Sequence, residues 1–368
     1  MKITIAIEKF DPNTGGAERY CWDFAHYLVK RGHVIIVLCM QSIPPANQSI
    51  RVEKLGVLRF PQAFRHLSFA IQHYLKTKNM KDCIHFCVGN TFYMDFYQPH
   101  GGIHKAWFDR ETQRYPERVR PIMSFFNRLN LKDLVQRSLE WWTFTRTRPQ
   151  VIAISQMVSD DLRKYFQYPE QLIKLIPNGI DTEKFSPNNL RYRDEIRRRY
   201  GIDKTEFVFL FVAQNLSLKG FDTLVEACRR LKENPFRVLV IGPAGRMHRN
   251  KARELEERVI FGGRALDLEK IYPACDCLVH PSFYDACSLV VLEALASGIP
   301  VITTSSNGAS MFIQPEYGVV VEPGDVGTLA DAMKSMVERS GRTHGVLPFD
   351  SNHEVFAKLE RILKADAV

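Results

Sequence analysis

Short apolar runs rich in Val and Ile recur between amphipathic stretches along the chain. They fall at residues 3–7, 34–39, 84–88 and 151–154, and after a break at 207–212, 238–241, 277–280, 301–304 and 319–321. Runs that are apolar throughout mark strands buried on both faces, and the amphipathic stretches supply the helical crossovers that parallel strands need. Two such series predict an α/β chain of two Rossmann-like, doubly wound domains. Ligands of such sheets lie beyond the carboxyl ends of the strands, so the expected site faces a cleft between the domains. The break itself contains Ile176-Pro177-Asn178-Gly179-Ile180-Asp181 and the polar Ser186-Pro187-Asn188-Asn189, both turn-forming. The expected domains are therefore 1–175 and 176–350, followed by a C-terminal helix over 351–368. Val355, Phe356, Leu359, Ile362 and Leu363 share one face of that helix and must pack on something; either domain would serve, and the first is the partner considered. Residues 105–148 show helical periodicity, three tryptophans (Trp107, Trp141, Trp142) and no clear strand, as a helical insertion of the first domain would.

Charge is distributed unevenly. The 368 residues carry 50 Lys and Arg against 41 Asp and Glu, a net charge of +9. The surplus lies wholly in the first half: 26 basic and 17 acidic residues in 1–185, then 24 of each in 186–368. A basic half suits nucleic acid, an anionic membrane surface, an acidic substrate or plain solubility, and charge alone does not choose. The eight cysteines include no CxxC pair, and the closest spacings (Cys83 and Cys87, Cys275 and Cys277) lack the companion ligands of a zinc site, which fits reduced thiols in the cytoplasm. The start, Met1 to Ile7, turns acidic at Glu8 and resembles a first strand more than a leader, and no apolar stretch is long enough to span a membrane.

Two loops carry chemistry. After the first strand, Asn13-Thr14-Gly15-Gly16-Ala17-Glu18 leads into a helix, where paired glycines let a ligand approach the backbone at a helix N-terminus. A Gly-Gly pair there is more often a tight turn, and the GxGxxG fingerprint is absent. The stronger signal runs from His280 to Pro300: a strand end, a loop with Asp285, a helix expected over 286–297, then Gly298 as its stop. The amides of 286–289 would form an anion site backed by the helix dipole. A continuous helix would set Glu293 about 12 Å along the axis from Asp285, too far for an acid/base dyad and suited to two ends of one extended ligand.

The pattern PS-x-x-[acidic]-x-x-x-L-V-x-x-E-A-x-A-x-G-x-P-V, with an acidic residue and Glu separated by seven residues, resembles the retaining glycosyltransferases of family 4, which have the GT-B fold. Supporting motifs follow in order: Gly15-Gly16-Ala17-Glu18, Pro177-Asn178-Gly179-Ile180-Asp181, Lys219-Gly220, Gly262-Gly263-Arg264 and Ala274-Cys275-Asp276. The likeness spans nearly the whole chain, and 280–304 is most similar to the lipopolysaccharide-core glucosyltransferases. It implies that Asp285 holds donor-sugar hydroxyls and opposes positive charge at the anomeric carbon, that Glu293 accepts from the nucleotide ribose, and that Lys219 neutralises the diphosphate. It also implies that Ser288 and Leu289 donate backbone N–H groups to the phosphates, that Arg264 borders the base, and that Gly15 and Gly16 admit donor or acceptor. His100, in Gln98-Pro99-His100-Gly101-Gly102, falls where members place a histidine near the reacting sugar; a lone histidine is otherwise more often structural. Three departures stand out. Asp285 replaces the usual Glu, Val212-Ala213-Gln214-Asn215 stands where many members have Gly-Arg, and Leu218 precedes Lys219 where the core glucosyltransferases have a second cation. Lys184 is a candidate helper, though a solvated surface lysine accounts for it more simply.

The implied reaction moves a hexose from a nucleotide-diphosphate donor, UDP-glucose before other UDP-sugars and GDP-mannose, to a glycan or glycolipid such as lipopolysaccharide core. It proceeds with retention, with no metal and no cofactor, since the nucleotide-sugar is a substrate. The basic first half would then face the acceptor and an anionic inner leaflet, making the protein cytoplasmic and peripheral. Alternatives of other classes are a nucleotide-sugar epimerase or sugar phosphorylase of the same architecture and a basic nucleic-acid binder. No aromatic-interleaved RNA motif supports the last.

Overall fold

The structure, a computed structural model, describes residues 1–58, 62–115, 118–231, 234–339 and 349–365. It divides into two compact units, Met1–Asn178 with Asn352–Val368, and Gly179–Ser351.

The strands of unit 1 are β1 (Lys2–Ala6), β2 (Lys9–Phe10), β3 (Val34–Cys39), β4 (Gln41–Ser42), β5 (Ile50–Lys54), β6 (Ile84–Cys87), β7 (Phe96–Tyr97), β8 (Gln150–Ala153) and β9 (Ile173–Leu175). Seven form a parallel sheet in the order β5-β3-β1-β6-β7-β8-β9, while β2 and β4 pair separately. The order reverses direction at β1, whose Ile3 pairs with Ile35 on one side and Ile84 on the other. Such a switch point leaves a crevice at the carboxyl ends of the two central strands. Crossover helices α1 (Gly16–Lys30), α2 (Gln62–Thr77) and later α6 (Gln156–Phe166) flank the sheet. Between β7 and β8 the chain runs through α3 (His104–Glu111), α4 (Arg120–Leu129) and α5 (Leu131–Trp142).

The last helix, Asn352–Ala365, belongs to unit 1, where Val355, Phe356, Leu359 and Leu363 enter the core beside Ile5, Phe24 and Phe86. The Phe356 ring lies 5.2 Å from Tyr20, 5.2 Å from Phe24 and 5.6 Å from Tyr27. At the rim of this contact the Glu360 carboxylate sits 2.8 Å from His33 Nε2, 3.1 Å from the Tyr27 hydroxyl and 2.7 Å from Lys364 Nζ.

Unit 2 repeats the plan with α7 (Arg193–Arg199), β10 (Val208–Val212), α8 (Phe221–Arg230), β11 (Arg237–Ile241), α9 (Arg246–Lys251), β12 (Val259–Gly263), α10 (Leu268–Ile271), β13 (Cys277–His280), α11 (Leu289–Ala296), β14 (Val301–Thr304), β15 (Gly318–Val321) and α12 (Val326–Arg339). Its sheet is parallel, ordered β12-β11-β10-β13-β14-β15, with Phe209, Phe211, Phe221, Val240, Val279 and Met333 in the core. Both units are thus doubly wound α/β sheets. Strands β2, β4, β5, β7, β9 and β12 were outside the sequence expectation: β5 alternates polar with apolar at a sheet edge, β2, β4 and β7 are two residues long and β9 three, and β12 ends in two glycines. Among the described residues no helix is long and apolar enough to cross a membrane.

Candidate functional site

The site in unit 2 is built where two loops meet at the carboxyl edge of β10 and β13. Gly220 caps α8 with φ +82, and a Cβ there would lie 2.0 Å from the Pro281 carbonyl oxygen. A left-handed conformation and so close a backbone approach both demand glycine. This contact brings the Lys219 ammonium to 2.6 Å from Asp285 Oδ2. The imidazole of His280, last residue of β13, lies 3.4 Å from the same carboxylate oxygen and 3.4 Å from Ser288 Oγ. Burial alone would push the Asp285 carboxyl up, but the adjacent Lys219 ammonium and His280 hold it well below the usual carboxylate range. His280 goes the opposite way: burial lowers its pKa against the pull of Asp285, so it stands neutral at pH 7. An ammonium has three donors, and Asp285 takes one, leaving Lys219 able to meet a second anion.

Residues 285–288 are not helical, which corrects the expectation of a helix over 286–297. The Asp285 N–H donates to Ser306 O at 3.0 Å and its carbonyl accepts from Gly308 N at 2.8 Å, a bridge that keeps the loop extended. Asn307 completes the clamp: Oδ1 accepts from Ala309 N at 3.0 Å and from Ser288 N at 3.3 Å, and Nδ2 donates to Thr303 Oγ1 at 3.0 Å. Helix α11 therefore starts at Leu289, with Ser288 as its N-cap. The Ser288 N–H, expected as a phosphate donor, is directed at Asn307 instead. The first-turn amides from Leu289 onward lack helical acceptors and carry the positive end of the dipole. Glu293 lies about 6 Å along the axis from Leu289, and the axial spacing expected between it and Asp285 does not apply across a non-helical loop. Its carboxylate accepts from the buried Tyr272 hydroxyl at 2.7 Å. Arg264 is exposed just after β12, following Gly263 at φ +72. Lys184 lies 3.7 Å from Glu269 and near the Phe185 ring, so a local partner occupies it.

In unit 1, Gly15 caps α1 in an extended conformation, Gly16 opens the helix, and Glu18 folds back over Gly15. His100 follows β7 with its ring 4.5 Å from Tyr20. Burial pushes its pKa down to about 3, and its Nε2 is buried without a hydrogen-bond partner. A neutral imidazole with one unsatisfied nitrogen is poised to meet a polar group. Past the carboxyl ends of β1, β6 and β7 lies a cavity of about 320 Å³ lined by Glu8, His66, Gly101, His104, Trp107 and Lys132, among others. Glu8 is hydrogen-bonded to His66 and lies 3.4 Å from Arg65. Burial lowers the pKa of His104 to about 4, and its ring stacks on Trp107 at 5.1 Å.

The structure thus gathers Lys219, Asp285, Ser288 and Leu289 in unit 2, sets Glu293 one turn away, and places Arg264 just after β12, two strands from β10; His100, Gly15 and Gly16 belong to unit 1. Sequence reasoning missed His280, Tyr272, Asn307 and the cavity. Only His280 left a signal, as a polar residue closing an apolar strand directly before the Pro281 loop.

Two family models match the chain: "Glycosyl transferases group 1" over residues 192–344 and "Glycosyltransferase Family 4" over 99–184. An uncharacterised glycosyltransferase of Methanocaldococcus jannaschii is 26% identical over 357 residues, covering 90% of this chain and 87% of the relative. The lipopolysaccharide glucosyltransferase WaaG of Escherichia coli K12 is 25% identical over 237 residues, 61% of this chain and 63% of that one, so this alignment spans under two thirds of either. Among solved structures, WaaG, a glycosyltransferase involved in lipopolysaccharide biosynthesis, superposes with TM-score 0.78 at 20% identity over 99% of this chain and 98% of the other. Anabaena HepE in complex with UDP and glucose gives TM-score 0.69 at 19% identity, with 99% and 100% covered. The two family matches, the WaaG relative and the paired parallel-sheet units shared with the solved structures place the chain in family 4 of the GT-B glycosyltransferases, similar to the lipopolysaccharide-core glucosyltransferases.

Proposed function

We propose that the chain transfers a hexose from a UDP-sugar, UDP-glucose first among them, to a glycan or glycolipid acceptor of the lipopolysaccharide-core type, retaining the anomeric configuration without a metal. The observation that carries this is the Lys219–Asp285 pair at the head of α11. The Lys219 ammonium and the first-turn amides of α11 are sources of positive charge of the kind that stabilises a departing diphosphate, which is the electrostatic task of sugar transfer. Asp285 is ionised yet bound to an ammonium, so it is better suited to grip sugar hydroxyls and oppose positive charge than to attack as a nucleophile. Retention then follows from same-face attack, with the departing phosphate taking the acceptor proton. Glu293, already oriented by Tyr272, has lone pairs for ribose hydroxyls. His100 offers its unsatisfied Nε2 to the transferred sugar, Arg264 borders the base, and Gly15 and Gly16 admit the acceptor or donor phosphate. The basic first half docks the protein peripherally on an anionic membrane at the cytoplasmic face.

The test is thermal stabilisation across UDP- and GDP-sugars, followed by UDP release with candidate acceptors in EDTA and NMR of the product's anomeric centre. UDP-glucose should raise the melting temperature most, since a ligand that binds only the folded state stabilises by RT ln(1 + [L]/Kd). Glu293→Ala should weaken donor binding, and Lys219→Ala should lower kcat by about 10² to 10³. Full activity in both variants at saturating donor would remove the site assignment, and an inverted product or loss of activity in EDTA would remove the corresponding part of the mechanism.

A further inference from the structure

Strand β10 lies between β11 and β13, so the lysine loop that follows it, residues 213–220, is flanked by the loops that leave both neighbours. Hydrogen bonds inside the loop shape it: Asn215 Oδ1 accepts from Leu218 N at 3.2 Å, Asn215 O from Lys219 N at 3.2 Å, and Ser217 O from Gly220 N at 3.3 Å. Such local bonds close the turn without fixing where it sits. On the β13 side its place is set by the approach of Gly220 to Pro281. On the β11 side the segment 242–248 meets the loop and the head of α8. Gly242, at φ +145, leaves no room for a Cβ, which would stand 1.9 Å from Ala213 O and 3.3 Å from Leu216 Cδ1. The ring of His248, in α9, lies edge-on to Phe221 at 5.6 Å and 77°. Its Nε2 is 3.1 Å from Ser217 Oγ, a hydrogen bond between side chains 31 residues apart in sequence.

His248 Nδ1 is buried without a hydrogen-bond partner, so the ring takes its orientation from Ser217 and Phe221. Lys219 carries its charge at the end of a flexible four-carbon stem, and its ammonium stays 2.6 Å from Asp285 while the backbone beneath it is held. A displacement of about 1 Å at such a group can cost up to about 10² in rate. We infer that His248 is a positioning residue for Lys219: by holding Ser217 it fixes the lysine loop from the β11 side, as Pro281 does from the β13 side. This rests on the proposed function for what the ammonium does, and goes beyond it by assigning the residue that places it. Packing on Phe221 would be served by any apolar side chain of similar size, whereas the bond to Ser217 needs a polar atom at the position of Nε2.

The test uses the full chain and reads UDP release from UDP-glucose with deacylated lipopolysaccharide core glycan as acceptor. His248→Leu and Ser217→Ala should each lower kcat about tenfold and leave the donor KM within about twofold, and the double variant should fall no further. His248→Gln, which returns an amide nitrogen to the place of Nε2, should recover most of the loss. In Lys219→Ala the His248→Leu change should have no further effect on kcat, because the group it places is gone; a general loss of structure would lower kcat in both backgrounds alike. Ser217→Ala removes a single hydroxyl, so it reads the bond even where His248→Leu fails to fold. A native kcat in Ser217→Ala, no recovery with His248→Gln, or the same fall repeated in Lys219→Ala would overturn the inference. A second reading needs no substrate: the coupling of Lys219→Met with Asp285→Asn, taken from urea midpoints, should be present in the parent and at least halved in the Ser217→Ala background. Coupling untouched by Ser217→Ala would also overturn the inference. Halved coupling in a chain that no nucleotide-sugar stabilises and that releases no UDP would instead overturn the proposed function and leave the placement of Lys219 by His248 standing.

Discussion

Gly220 meets two requirements at once, a left-handed backbone and room for the Pro281 carbonyl, and no other residue meets both. Gly220→Ala should cost about 1–3 kcal/mol in urea unfolding from backbone strain alone, and more as the two loops part. Its kinetic signature should be loss of donor binding, because the parting loops withdraw Lys219 from Asp285; an unchanged donor KM would contradict this. The same pair sets a pH dependence. In the native chain Asp285 stays ionised throughout the neutral and mildly acid range. In Lys219→Ala burial acts with only His280 against it, so the carboxyl should protonate at higher pH and the acid limb of kcat/KM should move upward, with Lys219→Arg restoring it. An acid limb at the same pH in all three proteins would separate Asp285 from the chemistry. At this scale the sequence was legible where spacing is local: Lys219-Gly220, Asp285 and Glu293 each sit in a short motif. Asn307 was not, because it acts on a loop some twenty residues away in sequence and lies in no periodic pattern.

Among the elements, strands buried on both faces announced themselves, and β13 and β14 fall at the expected residues. The start of α11 did not, since the cross-loop bridge to Asn307 overrides the helical propensity of Ala286 and its neighbours. The last helix offers the clearest energetic test. Burial would raise the Glu360 pKa, but hydrogen bonds from Lys364, His33 and Tyr27 bring it down to about 2. A depressed carboxyl contributes stability that is complete above its unfolded value, about 4.3, and is lost as pH falls through about 2. Glu360→Gln should therefore lose about 1–3 kcal/mol at pH 7, with the difference from the parent shrinking steadily below pH 4. Parallel stability curves over that range would show that Glu360 does not fasten the helix.

For the whole molecule, unit 2 is one continuous segment, whereas unit 1 is assembled from both ends of the described chain. Apolar periodicity showed that residues 355–363 need a partner, but periodicity carries no information on partners more than 300 residues away. Residues 179–351 alone should unfold cooperatively and bind UDP-glucose, while 1–178 alone should expose the Tyr20, Phe24 and Tyr27 surface and bind a hydrophobic dye. Each of Val355, Phe356, Leu359 and Leu363 contributes about 1.5–3 kcal/mol of burial, together comparable to the stability of an ordinary domain. A dye-free, cooperatively folding 1–178 would disprove this dependence. The threading also sets an order of events on the ribosome. Unit 2 can close as soon as its last strand and helix emerge, but unit 1, begun first, stays open until the helix at 352–365 arrives. Translation arrested anywhere between the units' boundary and that helix leaves an aromatic face uncovered for chaperones and proteases, so synthesis of the helix at 352–365 serves as the checkpoint for the unit that holds the polar cavity.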